Sequence, residues 1–193
     1  MILPVIASGD PVLRKKCVSI DKDYPNLDQF IINMKETMEN ANGVGLAAPQ
    51  VNKAIRLFII DTSPFVDDEE LSKEDQDYLG EFTRVFINAK ITKEEGEEWA
   101  FNEGCLSIPN IREDVFRKDT ITIEYYDENF EFKTEVLTGL AARVVQHEYD
   151  HIEGILFTDR LSSLKKRLIK KKIENISKGK VDVDYRMKFP KKK

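Results

Sequence analysis

Residues 146–151 read Gln146-His147-Glu148-Tyr149-Asp150-His151 and hold both histidines of the 193-residue chain. Apolar residues at three- and four-residue spacing run through this stretch from Leu137 to Ile152, a pattern that predicts an amphipathic helix. Residues four positions apart share one face of a helix, so both imidazoles can reach a single metal ion. Glu148 would face the same side, where an unpaired carboxylate is costly unless it takes part in chemistry. The alternative is a pair of hydrogen-bonded core histidines without a metal.

A catalytic metal site of this type usually has three protein ligands and one open position. In the extended pattern His-Glu-x-x-His-x-x-Gly-x-x-His the last histidine is the third ligand, and this chain has Phe157 there. A glutamate further along would have to be Glu174, which lies in a lysine-rich segment. Of the two cysteines, Cys17 is interpreted as a packing residue, and Cys105 is predicted to be the third ligand as a thiolate.

Two further stretches accompany the histidine motif. They read Gly43-Val44-Gly45-Leu46-Ala47-Ala48-Pro49-Gln50 and Glu103-Gly104-Cys105-Leu106-Ser107. With His147-Glu148-Tyr149-Asp150-His151 they resemble the three signature motifs of peptide deformylases, in the family's order, and the likeness spans roughly residues 1–160. Three motifs together are far more specific than any one of them.

The resemblance implies a metal-dependent hydrolase that removes the formyl group from the N-terminal methionine of newly made polypeptides. A metal-bound water would be the nucleophile and Glu148 the general acid and base. The Gln50 side chain and the Leu106 backbone N–H would be the oxyanion donors, although without the motif Gln50 would be interpreted as a surface residue after a turn. Fe²⁺ is the ion that the resemblance implies, and the donor set also admits Zn²⁺, Ni²⁺ or Co²⁺.

The resemblance further implies how N-formylmethionyl nascent polypeptides bind. The substrate would lie as an added strand, hydrogen-bonded to the backbone of Val44, Gly45 and Gly104. Arg112 follows the cysteine motif closely enough to contact the substrate. The alternative interpretation, an arginine exposed to solvent without a role in binding, is equally compatible with the sequence. Glu103 is grouped with these substrate-binding residues, although a carboxylate just before a ligand can also orient the site.

The order of strand and helix patterns predicts one α+β domain, with mixed and antiparallel sheets wrapped around a central metal-binding helix and with a C-terminal helix. Residues 1–160 are the predicted catalytic part. Residues 161–193 are predicted to form a basic C-terminal helix and a disordered tail of the same domain. The pattern also predicts helices at 25–41 and 159–175, strands at 55–60, 82–91 and 97–101, a loop at 43–50 and a solvated acidic excursion at 62–80.

The net charge of −5 is unevenly distributed. Residues 161–193 carry 13 lysines and arginines against 3 acidic residues, which leaves −15 for residues 1–160. An acidic body excludes a general or sequence-specific nucleic-acid binder. By the resemblance, the basic helix is of the type that docks on the ribosome in some bacterial members, and a merely solvated face is equally open. The absence of a long apolar run or a signal peptide, with only two cysteines, predicts a cytoplasmic protein and no membrane partner.

Two other functions are compatible with parts of the pattern. A His-Glu-x-x-His endopeptidase would cleave internal peptide bonds and would use a third ligand other than Cys105. A non-catalytic binder of nascent chains would hold a purely structural metal, which has no use for an adjacent proton carrier such as Glu148.

Overall fold

The structure, a computed structural model, describes residues 1–190 and has the predicted α+β architecture. The helices are α1 (Leu27–Asn40), α2 (Lys73–Gly80), α3 (Gly139–Ile152) and α4 (Ser163–Ser177). The strands are β1 (Val5–Ile6), β2 (Gly45–Ala47), β3 (Leu57–Asp61), β4 (Thr83–Cys105), β5 (Ile108–Tyr126), β6 (Phe132–Thr138) and β7 (Met187–Lys188).

Five strands form an antiparallel sheet in the order β2-β3-β4-β5-β6, while β1 and β7 form a parallel pair. The segment predicted as a loop at 43–50 contains β2, an edge strand, followed by a 3-10 turn at Ala48–Val51. The strands predicted at 82–91 and 97–101 are one continuous strand, β4. It stays continuous because register shifts, one of them between Glu95 and Glu98, absorb the irregular sequence around Gly96.

The sheet is buried on both faces where β3 crosses it. Leu57 and Ile59 pack with the apolar side of α1, whereas Phe58 and Ile60 pack with α3. Burial on both faces explains why this strand has a continuous apolar run and does not alternate with polar residues. The predicted strand and the predicted helix at 25–41 are both confirmed, with ends that differ by a few residues.

α3 is the central helix, and it packs against β2, β3 and β5. It starts at Gly139 because β6 continues through Thr138, so Leu137 of the predicted helical stripe belongs to the strand. Ala141, Val145 and Ile152 are buried in the main core. The predicted helix is therefore confirmed, although polar residues such as Arg143, Gln146 and Asp150 are buried together with the apolar ones.

The C-terminal helix begins later than predicted. Residues 157–160 form a 3-10 turn, and Ser162 caps α4 by accepting a hydrogen bond from the Lys165 N–H at 3.3 Å. Of the predicted apolar stripe, Leu161 and Ile169 are buried, but Leu164 and Leu168 are 61% and 70% exposed. The periodicity correctly placed these residues on one helix, but the rest of the protein covers only part of the apolar stripe.

The chain after α4 packs against the body of the protein, while the disordered tail predicted for its last residues stays a prediction. β7 pairs with β1, and Val181, Met187 and Phe189 pack on the apolar cluster that includes Ile169. Apolar residues at alternate positions give this segment one apolar face that can be buried. The high content of charged residues after residue 161 concealed this alternation. Residues 191–193, also part of that prediction, lie outside the described residues.

The acidic segment at 62–80 is anchored to the core. The buried Thr62 donates a hydrogen bond from its hydroxyl to the Leu79 carbonyl at 2.6 Å, and Leu79 is itself buried. Phe65 and Leu71 pack against the main core. The prediction of a solvated excursion is thus wrong, because Phe65, Leu71 and Leu79 face inward, although Val66 and Tyr78 are exposed.

Candidate functional site

The end of β4 brings Cys105 to the two histidines of α3. The ligand atoms of Cys105, His147 and His151 lie within 4.8 Å of one another, and Cys105 Sγ is 3.3 Å from His151 Nε2. Within residues 1–190 this is the group of three or more such side chains that could hold a metal ion. One thiolate and two imidazoles fit a transition-metal ion with an open position for substrate or water.

Glu103 orients the first histidine. His147 Nδ1 lies 2.8 Å from Glu103 Oε2, which leaves Nε2 of His147 free for a metal. Arg117 Nε donates to Glu103 Oε1 at 2.7 Å and Arg143 Nη1 donates to the same oxygen at 3.1 Å. Burial opposes the charge of this carboxyl, yet hydrogen bonds from Arg117 and His147 hold the pKa of Glu103 well below its usual range.

These bonds leave Glu103 little to offer a ligand. It is 4% exposed, and both of its oxygens already accept hydrogen bonds from protein groups. Its placement with the substrate-binding residues is therefore not supported by its contacts, since no acceptor is free to meet a peptide. The contacts favour the other interpretation, in which Glu103 orients the site.

Asp150, on the side of α3 next to the ligands, is buried, and a buried carboxylate needs a cation. Arg117 Nη1 donates to Asp150 Oδ2 at 2.7 Å, so this arginine bridges two buried carboxylates. Arg143 stacks over Trp99 at 4.4 Å and bonds Glu103. The second partner of Asp150 is Arg160, whose Nε and Nη2 both donate at 2.6 Å. Sequence reasoning missed it because the chain between them is not one helix.

Glu148 lies beside the donor cluster with no protein partner for one oxygen. The side chain is 4% exposed, and its Oε2 is buried without a hydrogen-bond partner among the described residues. A Cβ on Gly45 would lie 2.5 Å from Glu148 Oε1, so only glycine at that position leaves room for the carboxylate. Burial raises the pKa of Glu148 to about 7. A carboxyl tuned in this way suits proton transfer near neutral pH.

Gln50 is buried, unlike the surface glutamine that was the alternative. Its Oε1 accepts a hydrogen bond from the Ala47 N–H at 2.8 Å. That bond directs Nε2 toward the cluster, 3.5 Å from Cys105 Sγ and 3.3 Å from Ser107 Oγ. Leu106 directly follows the ligand, in the two-residue turn that joins β4 to β5. The structure thus brings both predicted oxyanion donors next to the predicted ligands.

A cavity of about 850 Å³ opens over this cluster. Val44 and Gly45 on the edge strand β2 line it, as does Gly104 on β4. Arg112 is exposed at the cavity, where its Nε donates to Asn102 Oδ1 at 3.0 Å. All of the residues predicted for substrate binding therefore border one pocket, which runs along the free edge of a sheet.

Comparison with known proteins decides the family. A family model described as polypeptide deformylase matches residues 2–167. The chain belongs to the polypeptide deformylase family. A peptide deformylase of Christiangramia forsetii is 66% identical over 190 residues, which cover 98% of this chain and 97% of the relative. The peptide deformylase of Flavobacterium psychrophilum is 63% identical over the full length of both chains.

Solved deformylase structures share the fold. A crystal structure of the Thermotoga maritima enzyme has a TM-score of 0.72 and 37% identity, covering 84% of this chain and 99% of that one. A peptide deformylase from Legionella pneumophila has a TM-score of 0.77 and 32% identity, covering 92% and 96%. The resemblance, fold class and reaction predicted from the sequence are confirmed: this deformylase removes the N-formyl group from nascent polypeptides.

Membership of a metal-dependent family also agrees with a Cys-His-His cluster that could hold an ion. As to membranes, none of the helices within residues 1–190 has the length and apolar character needed to span one.

Proposed function

We propose that Cys105, His147 and His151 hold one Fe²⁺ ion and that Glu148 is the general acid and base of deformylation. When bound, the ion supplies Lewis-acid chemistry, polarising a carbonyl oxygen and acidifying water at neutral pH. The observation that carries the proposal is the buried carboxylate of Glu148, which has an oxygen without a protein partner beside three converging donor atoms. Residues 1–160 provide all of these groups.

Hydrolysis of the formyl amide needs one group that accepts a proton and then donates it, and we assign this role to Glu148. The carboxylate takes a proton from the attacking water and returns it to the amine as the formyl C–N bond breaks, so formate and a free N-terminus are released. Its closeness to the Gly45 backbone supports this role, because the substrate strand would lie against the same residue.

The formyl oxygen gains negative charge as the carbonyl is attacked, and preorganised donors stabilise it. We assign these donors to Gln50 Nε2 and the Leu106 N–H. The bond from Ala47 to Gln50 Oε1 fixes the amide in the donating orientation. The backbone of Val44, Gly45 and Gly104 would pair with the substrate as an added strand, a mode that accepts many sequences. Arg112 would contact the substrate further from the formyl group.

Formate release from a short formyl-methionyl peptide tests this assignment. Protein purified without oxygen should turn the peptide over rapidly and should lose activity in air, because ferrous iron and the thiolate ligand both oxidise. Zn²⁺-substituted protein is the control, since zinc has no redox chemistry of its own. An internal peptide bond cleaved in place of the formyl amide, or no turnover by fully metallated protein, would contradict the proposal.

We also propose a cytoplasmic enzyme that meets nascent chains at the ribosome through α4. Lys170, Lys171 and Lys172 are exposed there, next to the exposed Leu168. Changing the three lysines to glutamate should weaken co-sedimentation with ribosomes at least about fivefold at low salt, because phosphate contacts are lost. Hydrolysis of free peptide should not change. Deleting the helix would be a poor test, since Ile169 and Ile176 belong to the core.

The matched control reverses three exposed lysines elsewhere on the surface, namely Lys15, Lys22 and Lys53. Equal co-sedimentation of the two triple variants would contradict a role for α4.

A further inference from the structure

After α4 the chain returns to the catalytic pocket. Asp182, Val183, Asp184 and Tyr185 all line the cavity that holds the donor cluster. These residues lie beyond residue 167, where the match to the family model ends. The pocket of this chain is therefore built partly by a segment outside the stretch that defines the family.

The segment is fixed on both sides of Tyr185. On one side, Asn110 Nδ2 donates to the Asp182 carbonyl at 3.2 Å. On the other, the Val5 N–H donates to the Arg186 carbonyl at 2.8 Å, at the start of the pairing between β7 and β1. Anchors this close on either side leave the backbone at Tyr185 little freedom to move away from the pocket.

Tyr185 contacts the turn that carries a proposed oxyanion donor. Its Oη donates a hydrogen bond to the Leu106 carbonyl at 2.7 Å. Burial raises the pKa of Tyr185, so the hydroxyl is protonated and able to donate. The ring is half-buried beside the cavity, and its hydroxyl reaches the backbone one residue past the thiolate ligand.

The Leu106–Ser107 turn needs support from outside. Two-residue hairpin turns favour positive φ because that matches the twist of the strands. Neither residue is among the described residues with positive φ, and the pairing of the strands shifts register next to the turn, between Gly104 and Cys105. Two other bonds hold Ser107: the Ser8 N–H donates to its carbonyl at 2.8 Å, and Gln50 Nε2 donates to its hydroxyl at 3.3 Å. Within residues 1–190, Tyr185 is the side chain that hydrogen-bonds the backbone of Leu106.

We propose that Tyr185 is a positioning residue for deformylation. By holding the Leu106 carbonyl it fixes the backbone at that residue, so that the Leu106 N–H, in the preceding peptide group, meets the developing oxyanion. This inference rests on the proposed role of Leu106. The C-terminal segment then contributes to catalysis as well as lining the pocket, because Tyr185 sets the orientation of the Leu106 N–H donor. An improperly oriented donor weakens stabilisation of the transition state more than binding of the ground state.

Tyr185→Phe tests the inference in the full-length metallated enzyme. The change deletes one hydroxyl and keeps the ring that packs in the wall. We expect kcat for formyl-methionyl peptide to fall about fivefold to tenfold, the size of one lost neutral hydrogen bond, with KM within about twofold of the unchanged enzyme. Metal content should be unchanged. Tyr78→Phe is the matched control, since Tyr78 is 47% exposed and does not line the cavity.

Three outcomes would overturn the inference. An unchanged kcat would show that the hydroxyl does not matter. A raised KM with constant kcat would make Tyr185 a contact of the substrate only, and a loss of metal would mean that it supports the ligands. Failure of the proposed function itself looks different, because the unchanged enzyme and the Tyr78→Phe control would then also release no formate.

Discussion

Replacing Cys105 with alanine should strip the protein of its metal ion and lower kcat/KM for formyl-methionyl peptides by at least about a thousandfold. The thiolate supplies one of three donors, and two histidines alone leave a site with weak affinity. The ligand atoms of Cys105, His147 and His151 converge within 4.8 Å, and the group found within residues 1–190 contains no fourth ligand atom. Metal analysis of the purified variant, beside the formate assay, measures both effects.

The other cysteine provides the control for this experiment. Cys17 is buried in the main core, burial raises the pKa of its thiol to about 11, and its sulfur is not among the donors that converge within 4.8 Å. Cys17→Ala should lose some stability through a small cavity and should keep its metal and its activity. Full metal content in Cys105→Ala would instead support the arrangement of an endopeptidase, in which another residue completes the site.

The position of Cys105 shows what the sequence could and could not provide. The donor was identified by elimination and by its motif, but the strand that delivers it was predicted as separate pieces. Residues 92–98 of β4 are mostly exposed on both faces, so they show no alternation from which a strand could be recognised. α3, in contrast, was predictable because its apolar residues recur at helical spacing, although the consecutive residues from Ala141 to Gln146 are all buried. The local sequence pattern identifies an element where at least one face is buried, as in α3 and β3, and fails where both faces are exposed.

Residues that are far apart in the sequence and meet in the fold could not be paired from the sequence. Arg160 and Tyr185 have no pattern that links them to Asp150 and Leu106, because each pair meets only after the chain has turned several times. The exposed Leu168 makes the complementary point: periodicity shows which residues share a helix face, but what covers that face depends on the rest of the fold. Buried charges follow a firmer rule, since a buried carboxylate such as Asp150 needs a cation, but only the fold shows that Arg117 and Arg160 supply it.

Glu148→Gln should lower kcat by about a hundredfold to ten-thousandfold while the metal stays bound. Glutamine has the size of glutamate, so it fits against Gly45, and no hydrogen bond of Oε2 is lost because none is present in the described residues. What disappears is the ability to accept and return a proton. KM should change little, since binding depends on backbone pairing along the pocket.

Glu124→Gln, on a strand residue that does not line the cavity, is the matched control and should keep full activity. Formate release, metal content and thermal unfolding measured on both variants separate the possible results. Full hydrolysis by Glu148→Gln would mean that another group moves the proton. Loss of metal together with activity would give Glu148 a structural role. A residue that only carries protons can be replaced without releasing the ion that the three donors bind.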